Sequence, residues 1–198
     1  MSIQIIVTGE PTYEADASVK WLVDAVDEWR ERTEKPRMTP GRFHASSLGA
    51  SDEELIERYL GIPQFSEPAQ KLRIFDNGHG VHRRWGRYLK NAGLSIRHRK
   101  QFWMPRLRLR GTCDEVVLDA EGATWIVELK SINPYAFSGL NSPKPEHIDQ
   151  LHCYMAGLRI LQGMILYESK GDQAVKVFRV VFDLDRWAAI EGRLLRLR

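Results

Sequence analysis

The sequence predicts an α/β domain in which helices flank a central mixed β-sheet, preceded by a mainly helical N-terminal part. Three observations predict it. Apolar residues recur at helical spacing through much of residues 1–93; β-branched, aromatic and alternating residues dominate 94–183; and one helical stretch, 146–161, interrupts that second region. The resulting order, helices and then βββαββα, fits a layered sandwich. At 198 residues the chain suggests a single domain, 1–198, with a helical N-terminal part (1–93), a sheet core (94–183) and a closing helix (184–198).

Each element has a local reason. Val19, Leu22, Val23 and Val26 place an apolar stripe on a helix over 14–33, which Lys35-Pro36-Arg37-Met38-Thr39-Pro40-Gly41 ends. Ser51 with Glu54 three residues on reads as a capping box for a short helix to about Leu60. A longer helix is expected from Pro68 to Asn91, stopping at Gly93. Strands follow at 94–103, 106–118 and 124–132, the last two joined by a turn at Asp119-Ala120-Glu121-Gly122. A loop holding Pro134, Pro143 and Pro145 leads to the helix at 146–161, with Ile148, Leu151, Met155 and Leu158 facing inward. Strands at 164–168 and 174–183 and a helix containing Trp187, Ile190 and Leu194 complete the chain.

Composition narrows the function. The net charge is only +3, but residues 71–110 carry 12 Lys/Arg against one Asp, and Arg83 to Arg110 contain no acidic residue at all. So concentrated a basic block fits a polyanion such as a nucleic-acid backbone. No stretch of about 18 apolar residues exists, which argues against a membrane-spanning helix. The N-terminus lacks the basic and small-residue features of a secretory signal, and the two cysteines, Cys113 and Cys153, have no metal-ligand spacing. A reducing, cytoplasmic setting is therefore expected. No Gly-x-x-x-x-Gly-Lys-Ser/Thr loop is present, so no ATP-driven motor is expected in this chain.

The chemistry concentrates in Asp114, Glu128 and Lys130. Glu128 and Lys130 alternate on one strand and so project from one face, while Trp125, Val127 and Leu129 face the core. Folding the hairpin near Glu121 sets Asp114 opposite Glu128, about 5 Å away. Two carboxylates so close repel one another, and a divalent cation such as Mg²⁺ relieves that conflict. Glu168-Ser169-Lys170 repeats the short pattern, but at a strand end with no aspartate partner. Arg106, Arg108 and Arg110 alternate with Leu107 and Leu109 on the strand leading to Asp114, as a guanidinium track would. Trp85, Tyr88, Phe102 and Trp103 lie within the basic block and could stack on unpaired bases.

The strings Gly111-Thr112-Cys113-Asp114-Glu115-Val116-Val117 and Ile126-Val127-Glu128-Leu129-Lys130-Ser131 resemble the PD-(D/E)XK nuclease superfamily. Gln150-Leu151-His152-Cys153-Tyr154 is similar to the Gln-x-x-x-Tyr helix of its RecB-like and lambda-exonuclease-like branch. Gly78-His79-Gly80-Val81-His82 resembles that branch's Gly-x-x-x-His motif, and His-Ala-Ser-Ser-Leu-Gly at 44–49 its serine-containing segment. The resemblance implies a restriction-endonuclease-like core and a DNA exonuclease of phage or bacterial recombination or repair. A structure-specific or nicking endonuclease is the alternative, and a non-catalytic nucleic-acid-binding module a more distant one.

By that resemblance His82, Asp114, Glu128 and the Leu129 carbonyl hold Mg²⁺, for which Mn²⁺ substitutes. Lys130 activates or orients the attacking water, and Gln150 and Tyr154 contact the scissile phosphate or that water. Arg83, Arg84, Arg106, Arg108 and Arg110 are the expected DNA contacts. An iron–sulfur cluster is excluded because four cysteines are required and two are present. A zinc site from His79, His82 and Cys113 is a minor alternative. DNA is the expected partner, with a single-strand annealing recombinase or single-strand-binding protein as a possible protein partner.

Overall fold

Capping chemistry sets several helix limits in the computed structural model, which describes residues 20–34, 39–63 and 67–198. Helix α1 spans Trp21–Thr33, α2 Asp52–Leu60 and α3 Ala69–Asn91. The capping box at Ser51 and Glu54 is present in both directions, and Gly61 ends α2 in the left-handed region at φ 76°. Strands β1 (Phe43–His44), β2 (Ser95–His98), β3 (Gln101–Met104), β4 (Leu109–Thr112), β5 (Glu115–Leu118) and β6 (Thr124–Ile132) lead to α4 (Pro134–Ser138), a short helix inside the expected loop. Helix α5 (Pro145–Leu158), strands β7 (Gln162–Ser169) and β8 (Val175–Val181) and helix α6 (Leu184–Arg196) follow.

The strands of the described residues form two sheets. The larger has the order β2-β5-β6-β7-β8, with β6 and β7 parallel and the other pairs antiparallel. The smaller has the order β1-β4-β3. This corrects two expected elements. The strand expected at 94–103 is β2 and β3, and that at 106–118 is a one-turn 3-10 helix followed by β4 and β5. Arg99 and Arg108 adopt positive φ, 50° and 51°, and turn the chain where the sequence offers no glycine. Each expected strand contributes one half to each sheet, the first breaking at Arg99-Lys100 and the second at Cys113-Asp114.

Two apolar layers sandwich the larger sheet. On one side Val117, Val127, Leu129 and Leu166 pack against Trp85 and Leu89 of α3. On the other, Ile126, Ile165 and Tyr167 meet Leu151, Tyr154 and Met155 of α5 and Leu194 of α6. Each fully buried aliphatic side chain contributes about 1.5–3 kcal/mol. Alternation along β6 therefore sends Val127 and Leu129 toward α3 and leaves Glu128 and Lys130 on the α5 side. A Cβ on Gly157 would stand 2.3 Å from the Phe102 ring, so only glycine lets α5 lie this deep against β3.

The apolar stripe expected on the first helix is not buried. Leu22, Val23 and Val26 are exposed, and no residue of α1 is buried; residues 14–19, including Val19, lie outside the described residues. Helix α1 is tied to α3 by polar contacts instead: Arg30 with Asp76, Arg73 with Asp27, and the Ala69 N–H to Glu31 at 2.8 Å.

Candidate active site

The β5–β6 hairpin pairs Glu115 with Val127 and Val116 with Ile126, so Asp114, one residue before the strand, falls in line with Glu128. Asp114 Oδ2 accepts the Leu129 N–H at 2.9 Å, and Oδ1 lies 2.8 Å from Nδ1 of His82 on α3. The N–H and C=O of a strand residue point to the same side, so the Leu129 carbonyl also faces the Asp114 side. Lys130 Nζ contacts Glu128 Oε1 and Gln150 Oε1, both at 2.8 Å. Gln150 Nε2 donates to Glu128 Oε1 at 2.8 Å and to the Tyr154 hydroxyl. One amide thus braces the acid and the ammonium together.

Glu128 is 2% exposed, and its second oxygen, Oε2, is buried with no hydrogen-bond partner among the described residues. Burial, then the Asp114 charge, pushes its carboxyl up to about 7 against the pull of Lys130. His82 is raised as well: burial lowers it, but the hydrogen bond and charge of Asp114 and the charge of Glu128 prevail. Burial holds the Tyr154 phenol well above its usual range, so it stays protonated.

No group of three or more His, Cys, Asp or Glu side chains is arranged as a ready cation cage among the described residues. The donors nevertheless fit a hard cation. Magnesium is commonly held by one or two carboxylates together with waters and substrate oxygens, and the buried, unpartnered Glu128 oxygen beside Asp114 is a donor of the kind such an ion takes. The zinc alternative does not fit, because His79 is exposed near Asp76 and the Cys113 thiol is fully buried and pushed up to about 12, burial being the main cause.

The other expected site residues are placed as follows. Tyr154 is 2% exposed and Gln150 5%, and the Tyr154 hydroxyl accepts from Gln150 Nε2. The guanidinium track does not form. Arg106 sits in the 3-10 turn, paired with Glu191 of α6; Arg108 donates to the Gly41 carbonyl at 3.0 Å; Arg110 lies between His44 and Trp103 on the small sheet. Arg84 pairs with Glu168, whereas Arg83 is exposed on α3. Of the expected stacking residues, Phe102 is buried and Trp85 donates to Glu168 at 2.6 Å; Tyr88 and Trp103 are exposed.

Glu168, expected at a strand end with no aspartate partner, is 3% exposed near the end of β7 and bound by Arg84 and Trp85. It faces α3, opposite to the Glu128 side, and so stays outside the acidic pair. The basic surface next to the site is the β2–β3 turn. Arg97, Arg99 and Lys100 are exposed there, and the Arg99 N–H donates to the Asp114 carbonyl at 2.9 Å.

One neighbour went unread in the sequence. His147 lies one helical turn before Gln150 on α5, with Nδ1 2.7 Å from the Tyr167 hydroxyl. The i, i+3 spacing to Gln150 was the available signal.

No protein-family model matches the chain, and no curated protein is similar to it. Solved structures are. An alkaline exonuclease, LHK-Exo, from Laribacter hongkongensis superposes with a TM-score of 0.60 at 20% identity, over 86% of this chain and 90% of the other. Its complex with dAMP gives 0.58, also at 20% identity, over 88% and 90%. The chain has the fold of this exonuclease. A phage-related exonuclease from Haemophilus somnus 129PT shares that nuclease fold at a TM-score of 0.50 and 14% identity, over 81% of this chain and 92% of the other. Within the nuclease fold, Asp114, Glu128 and Lys130 converge at the end of the β5–β6 hairpin. Among the described residues no helix is long and apolar enough to cross a membrane.

Proposed function

We propose that the protein is a Mg²⁺-dependent deoxyribonuclease that degrades linear DNA as an exonuclease, with Mn²⁺ able to substitute. The observation that carries this reading is the buried Glu128, with one oxygen unpartnered, aligned with Asp114 and braced to Lys130 through Gln150. The exposed Arg97, Arg99 and Lys100 beside Asp114 supply a surface for the phosphate backbone. The dAMP held by LHK-Exo is chemically what an exonuclease releases from DNA, which favours exonuclease over endonuclease action.

Asp114, Glu128, the Leu129 carbonyl and His82 would hold the cation, whose chemistry is to polarise the scissile phosphate and lower the pKa of the attacking water. Lys130 orients the water and offsets charge growing on the phosphoryl oxygens. Gln150 fixes Lys130, and Tyr154 fixes Gln150, so that the ammonium does not have to reorganise during reaction.

The test is a gel of end-labelled linear duplex, labelled single strand and closed circular plasmid, each with Mg²⁺ or chelator. Loss of label from linear DNA only, with Mg²⁺ only, is the expected result. Cutting of the closed circle makes the protein an endonuclease, and salt-sensitive binding with no cleavage under any divalent ion makes it a binding module.

A further inference from the structure

Tyr167 has no exposed surface, so its phenol proton must find an acceptor inside the protein. The hydroxyl oxygen accepts the Lys144 backbone N–H at 3.0 Å, and its other neighbour is His147 Nδ1 at 2.7 Å. The arrangement that satisfies every group has the phenol donating to Nδ1. This fixes the imidazole tautomer, with Nδ1 bare and the proton on Nε2. A second ring proton would leave the phenol proton without an acceptor. Burial and the Lys130 and Lys144 charges act in the same direction, pulling His147 down to about 3.

The remaining donor stands beside the reactive face. Tyr167 on β7 is the register partner of Lys130 on β6, so the two side chains lie on one face, about 5 Å apart at Cα. The His147 ring lies over Tyr167, with centroids 5.5 Å apart, one helical turn from Gln150. The frame of Glu128, Lys130, Gln150 and Tyr154 closes without His147. Among the described residues Nε2 has no hydrogen-bond partner, and it is not a buried orphan, so it reaches solvent. A neutral N–H that feels the charges of Lys130 and Lys144 suits an anionic oxygen.

We propose that His147 contacts the substrate: its Nε2–H holds a nonbridging oxygen of the DNA phosphate next to the scissile one, and Tyr167 keeps the proton on Nε2. The role rests on the deoxyribonuclease reading and adds a binding contact to it. Such a contact is made equally in the ground and transition states, and it carries no base information.

The test compares the wild type with His147→Phe, which keeps a ring over Tyr167 without the donor, His147→Gln, which restores an N–H near Nε2, and Tyr167→Phe. Rates on linear duplex with Mg²⁺ are expected to show KM raised about tenfold in His147→Phe with kcat nearly unchanged. His147→Gln returns KM to within about threefold of the wild type, and Tyr167→Phe falls between. An unchanged KM in His147→Phe overturns the assignment. So does equal impairment of His147→Phe and His147→Gln with a lowered Tm, which marks a packing role. A second arm measures duplex affinity at low salt in chelator and needs no turnover. If the wild type fails to cleave, the nuclease reading falls, while an affinity loss in His147→Phe that His147→Gln reverses still supports the contact. Equal affinities in that arm overturn it.

Discussion

His82 Nδ1 lies 2.8 Å from Asp114 Oδ1, so the imidazole grips the carboxylate that is expected to share a cation with it. With Oδ2 on the Leu129 N–H, both Asp114 oxygens are engaged before any ion arrives. His82 either ligates the ion or orients Asp114, and both roles act on metal affinity. His82→Ala is therefore expected to raise the Mg²⁺ concentration for half-maximal activity about tenfold or more. Titration of activity with Mg²⁺ measures this, and an unchanged midpoint removes His82 from the site.

Glu128 is costly to bury as an anion beside Asp114. Glu128→Gln is expected to stabilise the metal-free protein by about 1–3 kcal/mol at pH 8, a Tm rise of roughly 3–10 °C, while reducing cleavage at least about a hundredfold. Added Mg²⁺ should raise the Tm of the wild type and leave that of Glu128→Gln unmoved. Thermal melts with Mg²⁺ and with chelator decide it; a destabilised Glu128→Gln would mean that the ion pair with Lys130 outweighs desolvation.

One buried and one half-buried histidine set the acid response. His152 is neutral by its contacts, donating from Nδ1 to the Ile148 carbonyl and accepting the Asp183 N–H at Nε2, and burial lowers it. His147 is lowered to about 3. Below the unfolded value of 6.5 the unfolded chain binds more protons at both, so their contribution to stability declines as pH falls. For His147 the loss reaches about 2 kcal/mol at pH 5. Glu128 and His82, both raised, act in the opposite direction, so the informative quantity is the difference between proteins. The Tm of His147→Gln should drop less than that of the wild type between pH 7 and pH 5 in chelator. Parallel curves would show that His147 titrates normally.

DNA affinity should depend on the β2–β3 turn more than on Arg106. Replacing Arg97, Arg99 and Lys100 together by alanine is expected to reduce the slope of log affinity against log salt by about 2–3, and Arg106→Ala to change it by well under 1. Binding isotherms from about 50 to 200 mM salt measure both. A larger effect from Arg106→Ala would restore the strand track.

The legible part of the site was the part fixed by local periodicity. Turn counting across Asp119–Gly122 aligned Asp114 with Glu128, and strand alternation put Lys130 beside Glu128; both hold. Helical spacing joined Gln150 to Tyr154. What stayed illegible depends on tertiary partners or unusual backbone. Arginine in the left-handed region at 99 and 108 has no sequence signature, so the split of the first expected strand and the loss of the Arg106–Arg110 track were unreadable. The fates of Arg84 and Arg106 depend on Glu168 and Glu191, each more than 80 residues away. The proton arrangement at His147 needed Tyr167 and Lys144 in place.

Asp114 occupies the crossing where the polypeptide leaves one sheet for the other, between Thr112 at the end of β4 and Glu115 at the start of β5. Glu128 is anchored well inside the larger sheet. Any rocking of one layer against the other therefore alters the gap between these two acids directly, and a tug on the neighbouring arginine turn reaches the aspartate through its own carbonyl. On the proposed nuclease reading, ion grip and the bearing of nucleic acid on the surface would in this way be mechanically linked.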